Sequence, residues 1–228
     1  MDFVGIDKLS LLDYEDKISV VLFAKPCNFR CPYCHNGLTV LQADEYIYFD
    51  AILDYLRSRI GLIDAVVISG GEPTLLPDLK EKIKAIKELG FLIKLDTNGT
   101  HPEVIKDLYE SHLIDYVAMD IKNCLKKYPE TVNTKQVDLS KICESIKYLQ
   151  TCGVDYEFRT TLVNEFFDIN DIREMAELLK GSKRLYLQKF VERDGCIKKG
   201  LHEVPEGLAK QYLDILSKTI DNVSLRGY

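Results

Sequence analysis

The stretch Ile18-Ser19-Val20-Val21-Leu22-Phe23-Ala24, running through Pro26 into Cys27-Asn28-Phe29-Arg30-Cys31-Pro32-Tyr33-Cys34, decides how the rest of the chain is read. Its first half is a nearly continuous apolar run rich in β-branched residues, which suits a strand buried on both faces, as in a parallel sheet. Its second half carries thiols at i, i+4 and i+7. Pro26 and Pro32 disfavour a regular helix there and leave a curled loop. Thiolates so close together suit one soft metal centre, an iron–sulfur cluster or zinc. A cubane cluster has four iron corners, so three ligands leave one iron open to a non-protein ligand. A structural zinc site would need a fourth protein ligand, and His35, adjacent to Cys34, is awkward to aim at the same ion.

Working outward, residues 5 to 16 mix apolar and charged positions and read as a lead-in strand or hairpin. After the cysteine loop a period of helix then strand recurs. Ile47, Ile52, Leu53, Leu56 and Ile60 have helical spacing ahead of Ala65-Val66-Val67-Ile68. Leu79, Ile83 and Ile86 mark a helix stopped by Gly90, before Phe91–Leu95. Val104, Ile105 and Leu108 precede the strand Tyr116–Met119, and Leu139, Ile142, Ile146 and Leu149 precede Tyr156–Thr161. Ile169, Ile172, Met175 and Leu179 lead to Arg184–Gln188, and Leu208, Tyr212, Leu213 and Leu216 to a short Val223–Leu225 strand. Six strand–helix units predict an α/β fold: a parallel sheet with outer helices, curved like an incomplete TIM barrel. Two doubly wound halves stay open on periodicity alone. Nothing reads as a linker, so residues 1–228 are taken as a single domain. The segment 123–137, irregular from Cys124 to Val137, is the longest such stretch after the cysteine loop, a lid or a long connection.

Parallel α/β folds put their chemistry at the carboxyl ends of the strands. Here those ends run into Cys27, then Ser69-Gly70-Gly71-Glu72, Asp96-Thr97-Asn98-Gly99, Asp120 with Lys122, Arg159-Thr160-Thr161, and Gln188. Gly70-Gly71 lets a backbone come close to a ligand, although a double glycine by itself is often only a turn. Asp96 and Asp120 end neighbouring strands and need counter-charge. The plain alternative has Asp96 opening a turn and Asp120 pairing only with Lys122.

At 228 residues with 46% hydrophobic and 29% charged content, the chain reads as one soluble globular domain. A net charge of −6 argues against a general nucleic-acid surface. No apolar run approaches the roughly 20 residues that span a bilayer, and Met1-Asp2-Phe3-Val4 does not open a targeting segment, so a cytoplasmic protein with no membrane partner is expected. Seven cysteines, three of them clustered, do not make a secreted disulfide framework. Cys124, Cys143, Cys152 and Cys196 lack ligand spacing and read as small core residues. His35, His101, His112 and His202 are scattered and receive no chemistry, and no catalytic acid–base residue is assigned.

CxxxCxxC followed by Gly70-Gly71-Glu72-Pro73 resembles the radical S-adenosylmethionine superfamily, and the tail Cys34-His35-Asn36 resembles its glycyl-radical activase branch. With Lys17-Ile18-Ser19, VVISGGEPTL, LDTNGT, DYVAMDIK and EFRTTL, the likeness to anaerobic ribonucleoside-triphosphate reductase activating proteins extends over nearly the whole chain. Glu15-Asp16, where Pro-Gly is common, and Pro26, where Gly is frequent, are small departures ahead of the ligands. The resemblance favours the partial (β/α)6 barrel. It implies a [4Fe–4S] cluster on Cys27, Cys31 and Cys34, with S-adenosylmethionine chelating the open iron. It further implies that Gly70, Gly71 and Glu72 meet the methionine amino group, that Tyr33 lies against adenine, and that Asp96 and Thr97 bond the ligand. A monovalent cation near Asp96 and Asp120, a carboxylate partner in Lys122, and approach of Arg159 and Gln188 to the ligand's carboxylate, ribose or adenine complete the implied set.

The lack of cysteines between Cys34 and Cys124 argues against an additional ferredoxin-like insert, so one oxygen-sensitive cluster is expected. The implied activity is one-electron cleavage of the sulfonium and hydrogen abstraction, placing a glycyl radical on a partner enzyme, an anaerobic ribonucleotide reductase, with a flavodoxin- or ferredoxin-type electron donor. The alternatives are a radical enzyme acting on another glycyl-radical enzyme, a peptide or a small molecule, and a non-catalytic iron–sulfur or zinc binding protein.

Overall fold

The computed structural model describes residues 3–37 and 45–228; Met1 and Asp2 of the N-terminal reading lie outside them. Strand order in the sheet follows chain order, β1 to β8. The chain forms two compact units, the first from Met1–Asn28, Thr39–Thr97 and His101–Ala118, the second from Phe29–Leu38, Asn98–Thr100 and Met119–Tyr228.

In the first unit β1 (Phe3–Ser10) runs antiparallel to β2 (Ser19–Ala24), with Ile6 opposite Leu22. From there the pairing turns parallel: β2 to β3 (Ala65–Gly70), Leu22 opposite Ile68, and β3 to β4 (Leu92–Thr97), Val66 opposite Ile93. The lead-in stretch is therefore an antiparallel arm. Val20, Val21 and Leu22 are all buried, as a strand covered on both faces requires. The connections are α1 (Phe49–Arg57), a 3-10 turn at Pro73–Leu75, α2 (Leu79–Lys87) and α3 (Pro102–Glu110). Ile52 and Leu56, Ile83 and Ile86, Ile105 and Leu108 are among their buried residues, at the i, i+3 and i+4 spacing of a one-sided apolar face. A separate cluster gathers Tyr14, Val21, Ala65, Val67, Tyr116 and Ala118. Buried Lys94 reaches over the Tyr116 ring, 5.5 Å to its centroid, and donates to the Asp13 carbonyl.

Strand β5 (Tyr116–Asp120) gives its last two residues to the second unit. There β6 (Asp155–Leu162), β7 (Arg184–Lys189) and β8 (Asn222–Arg226) pair in parallel, with Arg159 opposite Tyr186 and Thr161 opposite Gln188. The helices α4 (Tyr128–Thr131), α5 (Leu139–Cys152), α6 (Ile169–Leu178) and α7 (Glu206–Leu216) belong here. α5 stops at Gly153, whose φ of 93° suits glycine, and α6 opens on a capping box of Asp168 and Asp171. Phe158, Leu185 and Leu187 from the strands and Ile172, Met175, Tyr212 and Leu216 from the helices are fully buried.

One expectation is corrected. Segment 123–137 is partly helical and partly interior: Asn123, Cys124, Tyr128, Thr131 and Val132 are buried. Asn123 organises it, donating through Nδ2 to Thr131 Oγ1 and to the Phe166 carbonyl, both at 2.9 Å, while its Oδ1 accepts from the Cys124 amide at 2.7 Å. A single helical turn is too short to show a 3.6-residue period. The longer irregular stretch is 190–205, between β7 and α7.

Candidate functional site

In the first unit the ends of β2, β3 and β4 carry the expected residues. Gly71 N donates to the Ala24 carbonyl at 2.7 Å and Glu72 N to the Pro26 carbonyl at 2.5 Å. Gly70 has φ 103°, and a Cβ there would lie 2.5 Å from Ala24 N and O. A Cβ on Gly71 would collide with the Pro26 carbonyl. Both glycines are thus demanded by the chain that leads into Cys27, which passes too close for any side chain. Glu72 is fully buried and caps the 3-10 turn. Its Oε1 accepts from Thr74 N at 3.1 Å, Thr74 Oγ1 at 2.5 Å and Thr97 Oγ1 at 2.8 Å, the donors a buried carboxylate needs. Asp96 Oδ2 accepts from Ser69 Oγ at 2.9 Å, and Lys94 Nζ stands 3.7 Å from Oδ1.

In the second unit the cysteine loop continues as two turns, Cys34 N to the Cys31 carbonyl at 3.0 Å and Gly37 N to the Cys34 carbonyl at 3.2 Å. Phe29 meets Tyr128 edge-on at 6.3 Å and Tyr33 lies 5.8 Å from Phe166, which seats the loop on the 123–137 segment and its neighbours. Tyr33 is buried, and its hydroxyl has no hydrogen-bond partner among the described residues. Burial, reinforced by Cys31, raises its pKa well above the usual phenol value, with Lys122 acting the other way.

Asp120 closes β5 between two cations. Lys122 Nζ donates to Oδ2 and Arg159 Nε to Oδ1, both at 2.9 Å. Burial pushes the Asp120 carboxyl upward, but Arg159 and Lys122 outweigh it and bring its pKa to about 2. Burial alone would lower the Lys122 pKa; Asp120, followed by Tyr33 and Cys31, overcomes it and raises it. Burial also raises the Cys34 thiol, opposed chiefly by Lys122. Lys122, beside Tyr33 and Cys34, favours their anionic forms against the effect of burial. Gln188, opposite Thr161, shares by strand alternation the sheet face of Arg159.

The radical SAM superfamily model matches residues 21–179. The chain belongs to that superfamily. A Methanocaldococcus jannaschii protein provisionally named a glycyl-radical enzyme activating enzyme is 40% identical over 237 residues, covering 97% of this chain and 94% of that protein. The 7-carboxy-7-deazaguanine synthase of Thermococcus kodakarensis is 32% identical over 188 residues, 82% of this chain and 66% of that protein. Among solved structures, Streptococcus suis SuiB bound to S-adenosylmethionine superposes with a TM-score of 0.70 at 17% identity, over 89% of this chain and 48% of that one. That likeness shows the fold, the unclosed parallel sheet of a partial TIM barrel.

Radical SAM enzymes use a [4Fe–4S] cluster and S-adenosylmethionine. Three thiols in a curled loop are the right donor chemistry for the cluster, and the buried Tyr33 hydroxyl and the Lys122–Asp120–Arg159 group suit a polar ligand. Among the described residues no three His, Cys, Asp or Glu side chains are gathered around one point, so the ligand assignment rests on donor chemistry, spacing and the loop's turns. Within the first unit the fold joins Glu72 to Thr97 and Asp96 to Ser69; within the second it joins Asp120, Lys122 and Arg159, with Tyr33 and Cys31 in electrostatic reach of Lys122. No described contact ties Gln188 to that group. Sequence reasoning missed the role of 190–198, which lies on the cysteine loop. The signal for it was Cys196, a buried residue inside the charged run Glu192–Lys199. Among the described residues no helix is long and apolar enough to cross a membrane.

Proposed function

We propose that this radical SAM enzyme is a glycyl-radical-enzyme activase that serves an anaerobic ribonucleoside-triphosphate reductase in the cytoplasm. It takes its electron from a flavodoxin- or ferredoxin-type donor and works as one domain over residues 1–228. The observation that carries this reading is the 40% identity, nearly end to end in both chains, to the Methanocaldococcus jannaschii activating enzyme. Cys27, Cys31 and Cys34 hold the cluster. Gly70, Gly71 and Glu72 serve the methionine amino group, Tyr33 the adenine, and Asp96 and Thr97 the ligand's polar edge, with a monovalent cation near Asp96 and Asp120. Lys122 answers the carboxylate, with Arg159 and Gln188 toward the carboxylate, ribose or adenine.

When bound, the cluster and S-adenosylmethionine supply a one-electron cleavage that yields a hydrogen-abstracting radical. The chain's own residues do the rest by placement and exclusion of water. Lys122 stays protonated through the neutral range because Asp120 outweighs its burial, and so offers a fixed cation. Asp120 is held at both oxygens and cannot swing away. Tyr33, packed on Phe166, closes the loop against solvent between two of the ligands.

A second reading, a radical enzyme acting on a small molecule, draws on the 32% identity to 7-carboxy-7-deazaguanine synthase. Incubating the reconstituted protein anaerobically with S-adenosylmethionine, a reductant and a candidate reductase separates them. An electron-spin spectrum with the glycyl doublet supports the activase. Cleavage of S-adenosylmethionine with no doublet on any glycyl-radical partner favours the second reading.

A further inference from the structure

The carbonyls of Cys31, Pro32, Tyr33 and Cys34 each accept a hydrogen bond, and two of the donors come from far along the chain. Cys34 N and Gly37 N serve the first and the last. Lys198 N donates to the Pro32 carbonyl at 2.8 Å, and Cys196 Sγ stands 3.8 Å from the Tyr33 carbonyl, a weak thiol donor in place. The same sulfur accepts from Arg193 N at 3.5 Å, which folds residues 193–196 into a turn. His35 Nε2 lies 2.8 Å from the Val191 carbonyl, with its ring stacked on Phe190 at 5.9 Å. The contact is also tight sterically. A Cβ on Gly195 would strike the His35 carbonyl, and one on Gly37 would strike Ile197.

We propose that residues 190–198 clamp the cluster loop, with Cys196 and His35 as positioning residues that fix the peptides joining Cys31 to Cys34. The inference rests on the reading of those cysteines as cluster ligands. A trans peptide points its C=O and N–H to opposite sides, so pinning the Pro32 and Tyr33 carbonyls also fixes the next two N–H groups. Partners one step removed from a metal ligand set both how tightly the centre is held and its electronic state.

Three variants test this: Gly195→Ala, which forces the segment off the loop without touching a cysteine, Cys196→Ala, and Cys196→Ser, which keeps a donor. Each is reconstituted anaerobically with iron and sulfide. Iron release to a chelator is timed, the spectrum of the dithionite-reduced cluster is recorded, and thermal unfolding of the metal-free chains is compared. Gly195→Ala and Cys196→Ala should release iron about tenfold faster and broaden the cluster signal, while Cys196→Ser stays near the wild type. Equal release rates and identical spectra in all four proteins overturn the clamp. A Cys196→Ser variant as leaky as Cys196→Ala removes Cys196 from it, and faster release matched by an equal loss of metal-free stability reduces the effect to folding. A wild-type chain that assembles no cluster overturns the cluster reading itself and the clamp with it.

Discussion

Two carboxylates at strand ends are met by different partners. Glu72, in the first unit, is fully buried and satisfied by the neutral donors of Thr74 and Thr97. Asp120, in the second unit, retains 28% side-chain exposure and is satisfied by the cations Lys122 and Arg159. Those cations hold the pKa of the Asp120 carboxyl at about 2, below its ordinary value. A carboxylate shut away from water is met here by hydroxyl and amide donors, and one that keeps some exposure by charged ones.

The comparison can be broken from either side. Gly71→Ala should have the largest effect, since its Cβ would collide with the Pro26 carbonyl and push the Glu72 segment from the cysteine loop. A loss of about 3 kcal/mol in urea unfolding is expected, with poorer iron uptake. Arg159→Leu leaves Asp120 with Lys122 alone, and should cost about 2 kcal/mol, less than a fully buried pair because the group is partly open to water.

The third test is pH. Asp120 is lowered from the ordinary 3.8 to about 2, so its stabilisation is present above about pH 4 and fades as pH falls toward 2. The expected loss is about 2 kcal/mol at most, seen as a difference in acid unfolding between wild type and Asp120→Asn. Identical acid profiles would mean that the two cations do not hold Asp120. Thr97→Val, removing one of three neutral donors to Glu72, should cost the least, about 1 kcal/mol, by the same urea measurement.

The parallel strands were legible because β-branched runs such as Val20–Leu22 and Val66–Ile68 need burial on both faces, and the polar residues that end them mark the loops after them. The partners of those polar residues were not legible. Thr97 meets Glu72 across 25 positions and Arg159 meets Asp120 across 39, and no period encodes such pairs. Gly70-Gly71 shows why one signal can carry two meanings: beside the expected room for a ligand, the missing side chains admit the chain before Cys27. The segment 190–198 escaped because an irregular, charge-rich stretch shows no pattern beyond its one buried cysteine.

On the proposed function, Cys27, Cys31 and Cys34 hold a cluster with one iron left to an outside ligand. Anaerobic reconstitution followed by iron analysis and product analysis with S-adenosylmethionine and dithionite tests it most directly. About four irons per chain, with release of methionine and 5′-deoxyadenosine that disappears in Cys31→Ala, is the expected result. One tightly bound zinc with no cleavage, or undiminished cleavage in Cys31→Ala, would contradict it.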